Sequence, residues 1–224
     1  MTLVHGWLRT LKNRILPPGE RYRKIPFGVM SGNIMKIDFR YQFRQYLGMY
    51  EFELNSHFKS LIKPGYKCFD VGGKGGYNAL MLSKLSHGGD VVTFECDSNA
   101  VNDLKEVVAK NKWPIQVVKA FVSNQMNNEH KTIDWAMAQF FCPDFIKIDI
   151  EGAEVMALQG AHEVLSKRKP GLIIETHSLE LENNCIKLLK KYGYDHKIID
   201  QSKIFPERRQ VFTHNRWLVC KGTI

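Results

Sequence analysis

Residues 66–76 read Tyr-Lys-Cys-Phe-Asp-Val-Gly-Gly-Lys-Gly-Gly. An apolar run that reaches an acid and then a cluster of glycines has the form of a strand entering a tight turn. Glycine there lets the backbone approach groups that a side chain would block. About 20 residues further on, the interval at which nucleoside-binding folds place their second acid, Val91-Val92-Thr93-Phe94 ends in Glu95. A carboxylate at that place can accept hydrogen bonds from both hydroxyls of a ribose. The pairing points to an open α/β sheet that holds a nucleoside at the carboxyl ends of its strands.

The rest of the chain supports such a sheet. Strands are predicted near 67–71, 91–95, 115–119, 145–149, 171–176, 194–200 and 212–221, and helices near 51–62, 76–86, 98–110, 132–140, 152–167 and 179–192. Asp97-Ser98 and Ser178 are placed to cap two of the helices, and Asp134 lies in the first turn of a third. Alternation of this length requires right-handed crossovers and a parallel sheet covered on both faces. The last two strands have no helix between them and should pair antiparallel at one edge. Upstream, Phe27–Ser31 and Ile34–Asp38 flank Gly32-Asn33, which suggests a hairpin. Leu3, Val4, Trp7, Leu8, Leu11 and Ile15 form one helical stripe that Pro17-Pro18-Gly19 ends. That helix has three alternative docking places: its own domain, a second subunit in a homo-oligomer, or a membrane surface. The expected organisation is a basic helix and hairpin extension over 1–50, then an α/β domain over 51–224.

Charge is unevenly spread. Residues 1–63 carry 11 Lys or Arg against 4 Asp or Glu, residues 64–159 carry 9 against 12, and residues 160–224 carry 12 against 7. The nucleoside half is thus near neutral, and a basic surface or an anionic partner belongs to the flanks. No apolar run reaches the roughly 20 residues needed to span a bilayer, and Arg9, Lys12 and Arg14 interrupt any signal-peptide core. Cys68, Cys96, Cys142, Cys185 and Cys220 show no metal-ligand rhythm. They read as reduced thiols of a cytoplasmic protein, with Cys68 and Cys96 buried in or beside strands.

The glycines exclude two ligand classes. Gly72, Gly73, Gly75 and Gly76 cannot be fitted to G-x-G-x-x-G, because Asn78 stands where the third glycine would fall, and Lys74 has no phosphate-loop frame. What fits is an acid with glycines two and six residues later, Asp70, Gly72 and Gly76. This is similar to the nucleoside turn of class I methyltransferases, which bind S-adenosylmethionine. The resemblance extends further. Residues 64–82, Phe94-Glu95, Thr132-Ile133-Asp134, residues 145–161 (FIKIDIEGAEVMALQGA) and Lys169-Pro170 followed by Ile174-Glu175-Thr176-His177 resemble the FkbM family of methyltransferases over about residues 50–180. Lys74 departs from the family, which usually has Asn there, and is expected to point away or to reach the ligand's carboxylate.

The resemblance implies a class I Rossmann-like, doubly wound sheet of order 3-2-1-4-5-7-6 with its last strand antiparallel. It also implies methyl transfer to a hydroxyl from S-adenosyl-L-methionine. Cofactor contacts are implied at Glu51, Asp70, Gly72, Gly73, Gly76, Glu95, Cys96, Ala120 and Asp149. An alkyl hydroxyl needs a general base or a metal ion to lose its proton. Asp149, Glu175 and His177, at the ends of two adjacent strands, are the candidate catalytic residues. Two routes stay open: direct proton acceptance by His177 or Asp149, or a divalent ion such as Mg held by all three. Glu154 is expected to complement the dipole of its helix, and Lys147, on an otherwise apolar strand, to pair with one of these acids. Arg208, Arg209 and His214, in a loop over 201–215, are expected to border the acceptor. The acceptor class is a sugar, glycolipid or secondary-metabolite hydroxyl. A nucleic-acid methyltransferase is the second reading, opposed by Asp149-Ile150-Glu151-Gly152 standing where an N-P-P-Y or D-P-P-Y element would grip a planar amine. A membrane-associated, non-catalytic binding module is the third.

Overall fold

The computed structural model describes residues 19–202 and 214–222. The helix expected over 3–16, and Arg208 and Arg209 of the 201–215 loop, lie outside the described residues. In chain order the elements are β1 (Arg21–Lys24), β2 (Ile34–Ile37), α1 (Phe43–Tyr46), α2 (Asn55–Leu61), β3 (Cys68–Val71), α3 (Tyr77–Leu85), β4 (Val91–Glu95), α4 (Ser98–Asn111), β5 (Ile115–Lys119), β6 (Phe121–Val122), β7 (His130–Lys131), α5 (Ile133–Gln139), β8 (Phe145–Ile148), α6 (Glu154–Gln159), β9 (Gly171–Thr176), α7 (Leu179–Lys191), β10 (Lys197–Asp200) and β11 (Arg216–Cys220).

The central sheet runs β10-β11-β9-β8-β3-β4-β5. Strands β9, β8, β3, β4 and β5 pair in parallel, whereas β11 is antiparallel to both β9 and β10. Counting only the strands of this sheet along the chain, the order from the β5 edge is 3-2-1-4-5-7-6. Period-2 alternation sorts the core into two layers. Phe69, Val71, Ile146, Ile148, Leu172 and Ile174 face one apolar cluster. Cys68, Phe145, Ile173, Trp217 and Val219 face the other, where Ile25, Met35, Ile37 and Phe58 of the preceding segments cover them. Asp97 caps α4 by accepting the amides of Asn99 and Ala100, and Ser178 caps α7 through the amide of Leu181.

Three local expectations are corrected. The hairpin pairs Arg21–Lys24 with Ile34–Ile37, so Phe27–Ser31 is the connection and not a strand. Pro26 has no amide to give the ladder, and Gly28 and Gly32 turn at φ of 71° and 93°. The helix expected over 152–167 is broken after Gln159. A Cβ on Gly160 would lie 2.2 Å from the Ser123 carbonyl oxygen, so the chain crosses that segment at van der Waals contact. The Asp134 carboxylate then accepts the amides of Glu163 and Val164, both at 3.0 Å, and starts a separate turn over Val164–Arg168. Cys96 is exposed, because it follows the last residue of β4, whereas Cys68 is buried.

Gly160→Ala should lower stability by about 1–3 kcal/mol, the usual range for forcing an atom into a packed site. Chemical denaturation checks this, and an unchanged midpoint would show that Ser123 can move aside.

Candidate active site

A cavity of about 370 Å³ opens beside the carboxyl ends of β3, β4 and β8. Of the residues implied for cofactor binding, Gly72, Glu95, Cys96, Ala120 and Asp149 line it. Glu51, Asp70, Gly73 and Gly76 are not part of that lining. The glycines are there first because the turn is crowded. Gly72 adopts φ 99°, and a Cβ on it would lie 1.9 Å from the Asp149 carbonyl oxygen. On Gly73 a Cβ would lie 2.3 Å from Thr93 Oγ1. Gly76 turns at φ 84° against Leu104 of α4. The same absence of side chains leaves the cavity wall beside Gly72 as bare backbone.

Glu95 organises this wall. One of its carboxylate oxygens accepts the amides of Cys96 at 2.7 Å and Asp97 at 2.9 Å. The other accepts the amide of Lys74 at 2.9 Å. Three backbone donors fix the carboxylate at the cavity edge and satisfy much, though not all, of its capacity of about four acceptor sites. Lys74 points across the mouth and its Nζ pairs with Glu151.

Behind the cavity the sheet holds a row of buried charge. Asp70 and Lys147 are cross-strand neighbours on β3 and β8, and Thr93 adjoins Asp70 from β4. The Thr93 hydroxyl donates to Asp70 at 2.9 Å. Burial pushes the Asp70 carboxyl up to about 7, with the Thr93 hydrogen bond and the Lys147 charge opposing and the charges of Asp149 and Glu95 adding to the shift. Lys147 has no exposed surface, and its ammonium lies 3.8 Å from Asp149 Oδ2 and 3.6 Å from Glu175 Oε2. Burial works against its charge, but Glu51, Asp149, Glu175 and Asp70 more than offset it, so the net shift is upward. The ion pair expected from sequence is therefore a pairing with two acids, supported by the field of a third, Glu51, from the segment before α2.

His177, at the end of β9, completes the cluster. Its Nε2 lies 3.6 Å from Asp149 Oδ1 and 3.7 Å from Glu175 Oε1. Its Nδ1 lies 3.1 Å from Glu154 Oε1. Burial lowers the imidazole's pKa, but the Glu154 hydrogen bond and the charges of Asp149 and Glu175 outweigh it, and the net shift is upward. Glu154 does more than the first-turn role expected from sequence. Besides standing in the first turn of α6, it is fully buried, accepts the Gly152 amide and holds the histidine ring. The signal for it was legible: Glu154 falls on the same stripe of α6 as Ala157 and Leu158, and an acid on a buried stripe needs a partner. His214 turns to Glu182, 3.3 Å away.

The donor atoms of Asp149, Glu175 and His177 lie within 4.8 Å of one another, close enough for one ion. The set fits a divalent cation poorly. An ammonium already sits against both carboxylates.

Residues 102–201 match the family model of the methyltransferase FkbM domain. Over that stretch the chain is similar to FkbM-type methyltransferases. The FkbM match begins inside α4 and takes in β8, β9 and the whole Asp149, Glu175 and His177 cluster. Among solved structures, the chain is similar to the methyltransferase FkbM of Methylobacillus flagellatus, with 21% identity and a TM-score of 0.58 over 72% of this chain. It spans 47% of that protein's length, or about half. Fibrillarin of Aeropyrum pernix, solved with S-adenosyl-L-methionine natively bound, matches at 14% identity and a TM-score of 0.54, covering 71% of this chain and 67% of its own. The C-terminal domain of precorrin-6Y C5,15-methyltransferase from Rhodobacter capsulatus matches at 16% identity and a TM-score of 0.52, covering 75% and 85% respectively. At these identities the likenesses establish the methyltransferase fold. No curated protein sequence matches the chain. Among the described residues, no helix is long and apolar enough to cross a membrane.

Asp70 generates a pH prediction. Burial moves its carboxyl from the ordinary range near 3.8 up to about 7. Between those limits the folded chain keeps a proton that the unfolded chain has released. Its contribution to stability is thus full below about pH 4 and is lost as pH rises through about 7. Asp70→Asn, which stays neutral, should gain on the wild type by on the order of a few kcal/mol between about pH 4.5 and about pH 8. Urea denaturation at the two pH values tests it, and parallel pH dependence of the two proteins would refute the buried-proton assignment.

Proposed function

We propose that this chain binds S-adenosyl-L-methionine in the cavity beside β3, β4 and β8 and transfers its methyl group to a hydroxyl oxygen of a sugar, glycolipid or secondary metabolite. One observation carries the reading. Asp149 both lines the nucleoside-sized cavity and belongs to the buried cluster of His177, Glu175 and Lys147. A proton-accepting group therefore adjoins the place where a methyl donor would lie. The cavity volume suits a ligand of nucleoside size. Glu95 keeps acceptor capacity at its edge for a ribose hydroxyl, and Ala120, 4% exposed, offers a flat wall to a base.

The chemistry is an in-line displacement. The acceptor oxygen forms the new bond to the methyl carbon, the carbon–sulfur bond breaks, and its electron pair stays on sulfur as the thioether. The hydroxyl proton passes to His177 Nε2, directly or through the Asp149 carboxylate 3.6 Å away. Glu154 on Nδ1 holds the ring and offsets the positive charge that forms. Alignment and exclusion of water supply most of the acceleration, since the sulfonium is already electrophilic. This route needs no metal, in keeping with the ammonium that stands against the carboxylates.

Calorimetry with S-adenosylhomocysteine tests the site. The wild type should bind, and Glu95→Ala should lose about 1.5–3 kcal/mol of affinity, the scale of charged hydrogen bonds. Absence of wild-type binding would end the proposal. Screening hydroxylated metabolites and glycans with methyl-labelled donor tests the acceptor class, and label recovered only as N-methyl product would overturn the hydroxyl assignment. With an acceptor in hand, His177→Ala should cut turnover by about 10²–10⁴-fold while leaving thioether affinity within about 2-fold, and a chelator should change neither. Full turnover in the alanine variant would remove His177 from the chemistry.

A further inference from the structure

Lys74 and Glu151 face each other across the mouth of the cavity, on the two turns that follow β3 and β8. Both are non-glycine residues at positive φ, 37° and 50°. That conformation is disfavoured for L-residues and persists where the surroundings enforce it. Here it aims one cation and one anion at the same opening. Their side chains are 53% and 46% exposed, so the pair is in contact with water and can exchange partners. The other charged side chains of the lining are committed elsewhere. Asp97 caps α4, Glu95 holds three amides and Asp149 lies against Lys147.

Resting on the reading above, we propose that Lys74 and Glu151 form a clamp for a zwitterion, the amino-acid end of the methyl donor. Lys74 takes the ligand's carboxylate and Glu151 its ammonium. Each charge gives up one partner and gains another, so the exchange leaves no charge unpaired. The pairing also sets specificity. A free phosphate or other anion would meet Glu151 as well as Lys74, and a simple cation would meet Lys74 as well as Glu151. Only a ligand with both charges on adjacent groups satisfies the two together.

Two thioethers separate the contributions. S-adenosylhomocysteine carries the amino-acid end, and 5′-methylthioadenosine shares the nucleoside and sulfur but lacks that end. Neither has the sulfonium charge. In calorimetry on the full chain, the wild type should bind the first more tightly. Lys74→Ala and Glu151→Ala should each weaken S-adenosylhomocysteine by about 10- to 100-fold, the range expected for a charged hydrogen bond, and 5′-methylthioadenosine by less than about 2-fold. Lys74→Arg should retain most of the preference. Equal losses for both ligands, or no loss for either, would overturn the clamp. So would a wild type that binds the two thioethers equally, which would leave the nucleoside reading standing. Binding of neither would overturn both readings.

Discussion

A lysine ammonium with no solvent contact, in the middle of a seven-stranded sheet, sets the terms for the rest of the site. An isolated charge at the place of Lys147 would be prohibitively costly, so the strands beside it must supply acids. Asp70 does so from β3, Asp149 from the end of its own strand, Glu175 from β9 and Glu51 from the segment preceding α2. The ammonium therefore ties the sheet to the layer laid over it by the N-terminal part of the chain. Its presence also explains why so many carboxylates converge behind one cavity. Part of their charge is offset from within by a fixed cation that cannot leave, and that ammonium stands where a metal ion shared by Asp149 and Glu175 would compete with it.

The glycine turn shows how packing and binding share a cause. Gly72 cannot carry a Cβ because the Asp149 carbonyl occupies the space, and Gly73 cannot because Thr93 does. Those contacts hold β3, β4 and β8 in close register up to their ends. Beyond the ends the chains diverge, to α3, α4 and α6, and the divergence leaves the cavity. A site of this kind is produced by the sheet itself. The glycine pattern, read from sequence as permission for a ligand to approach, is at Gly73 and Gly76 permission for the protein's own elements to approach.

Much of this was legible in residue order, and the reasons for the failures are specific. Strand and helix alternation was visible because buried parallel strands are continuous apolar runs, and Asp97 and Ser178 announce their helices by local hydrogen bonds that depend on few distant residues. The break at Gly160 is not visible in residue order, because the groups beside it, the Ser123 carbonyl and the Asp134 carboxylate, are far away in sequence, and a lone glycine in a helical pattern is otherwise tolerated. The hairpin register differs from expectation because Gly32-Asn33 looks like a two-residue turn, while the first strand ends before Pro26 and Gly28. Asp149, Glu175 and His177 were found together because strand ends converge by topology. Glu154 escaped because its first-turn position offered a sufficient explanation on its own. The partner of Lys74 could not be inferred, since a turn's sequence does not state which way a side chain in the left-handed region will point.

The electrostatics of the cluster divide the labour among its acids. Asp70 is deepest and its pKa is raised to about 7, so it approaches the role of a neutral hydrogen-bonding group. Asp149 has the Lys147 ammonium on one side, at 3.8 Å, and the His177 ring on the other, at 3.6 Å. Glu154 faces only the ring and one backbone amide, and acts on His177 as an orienting anion. The imidazole thus lies between carboxylates that raise its proton affinity, while burial restrains the rise. A base with raised affinity takes a proton from an alcohol more readily, but at a given pH a larger fraction of it is already protonated. Burial is what keeps the second effect in check. The low exposure of His177, 6%, thus bears directly on the proton affinity of its ring.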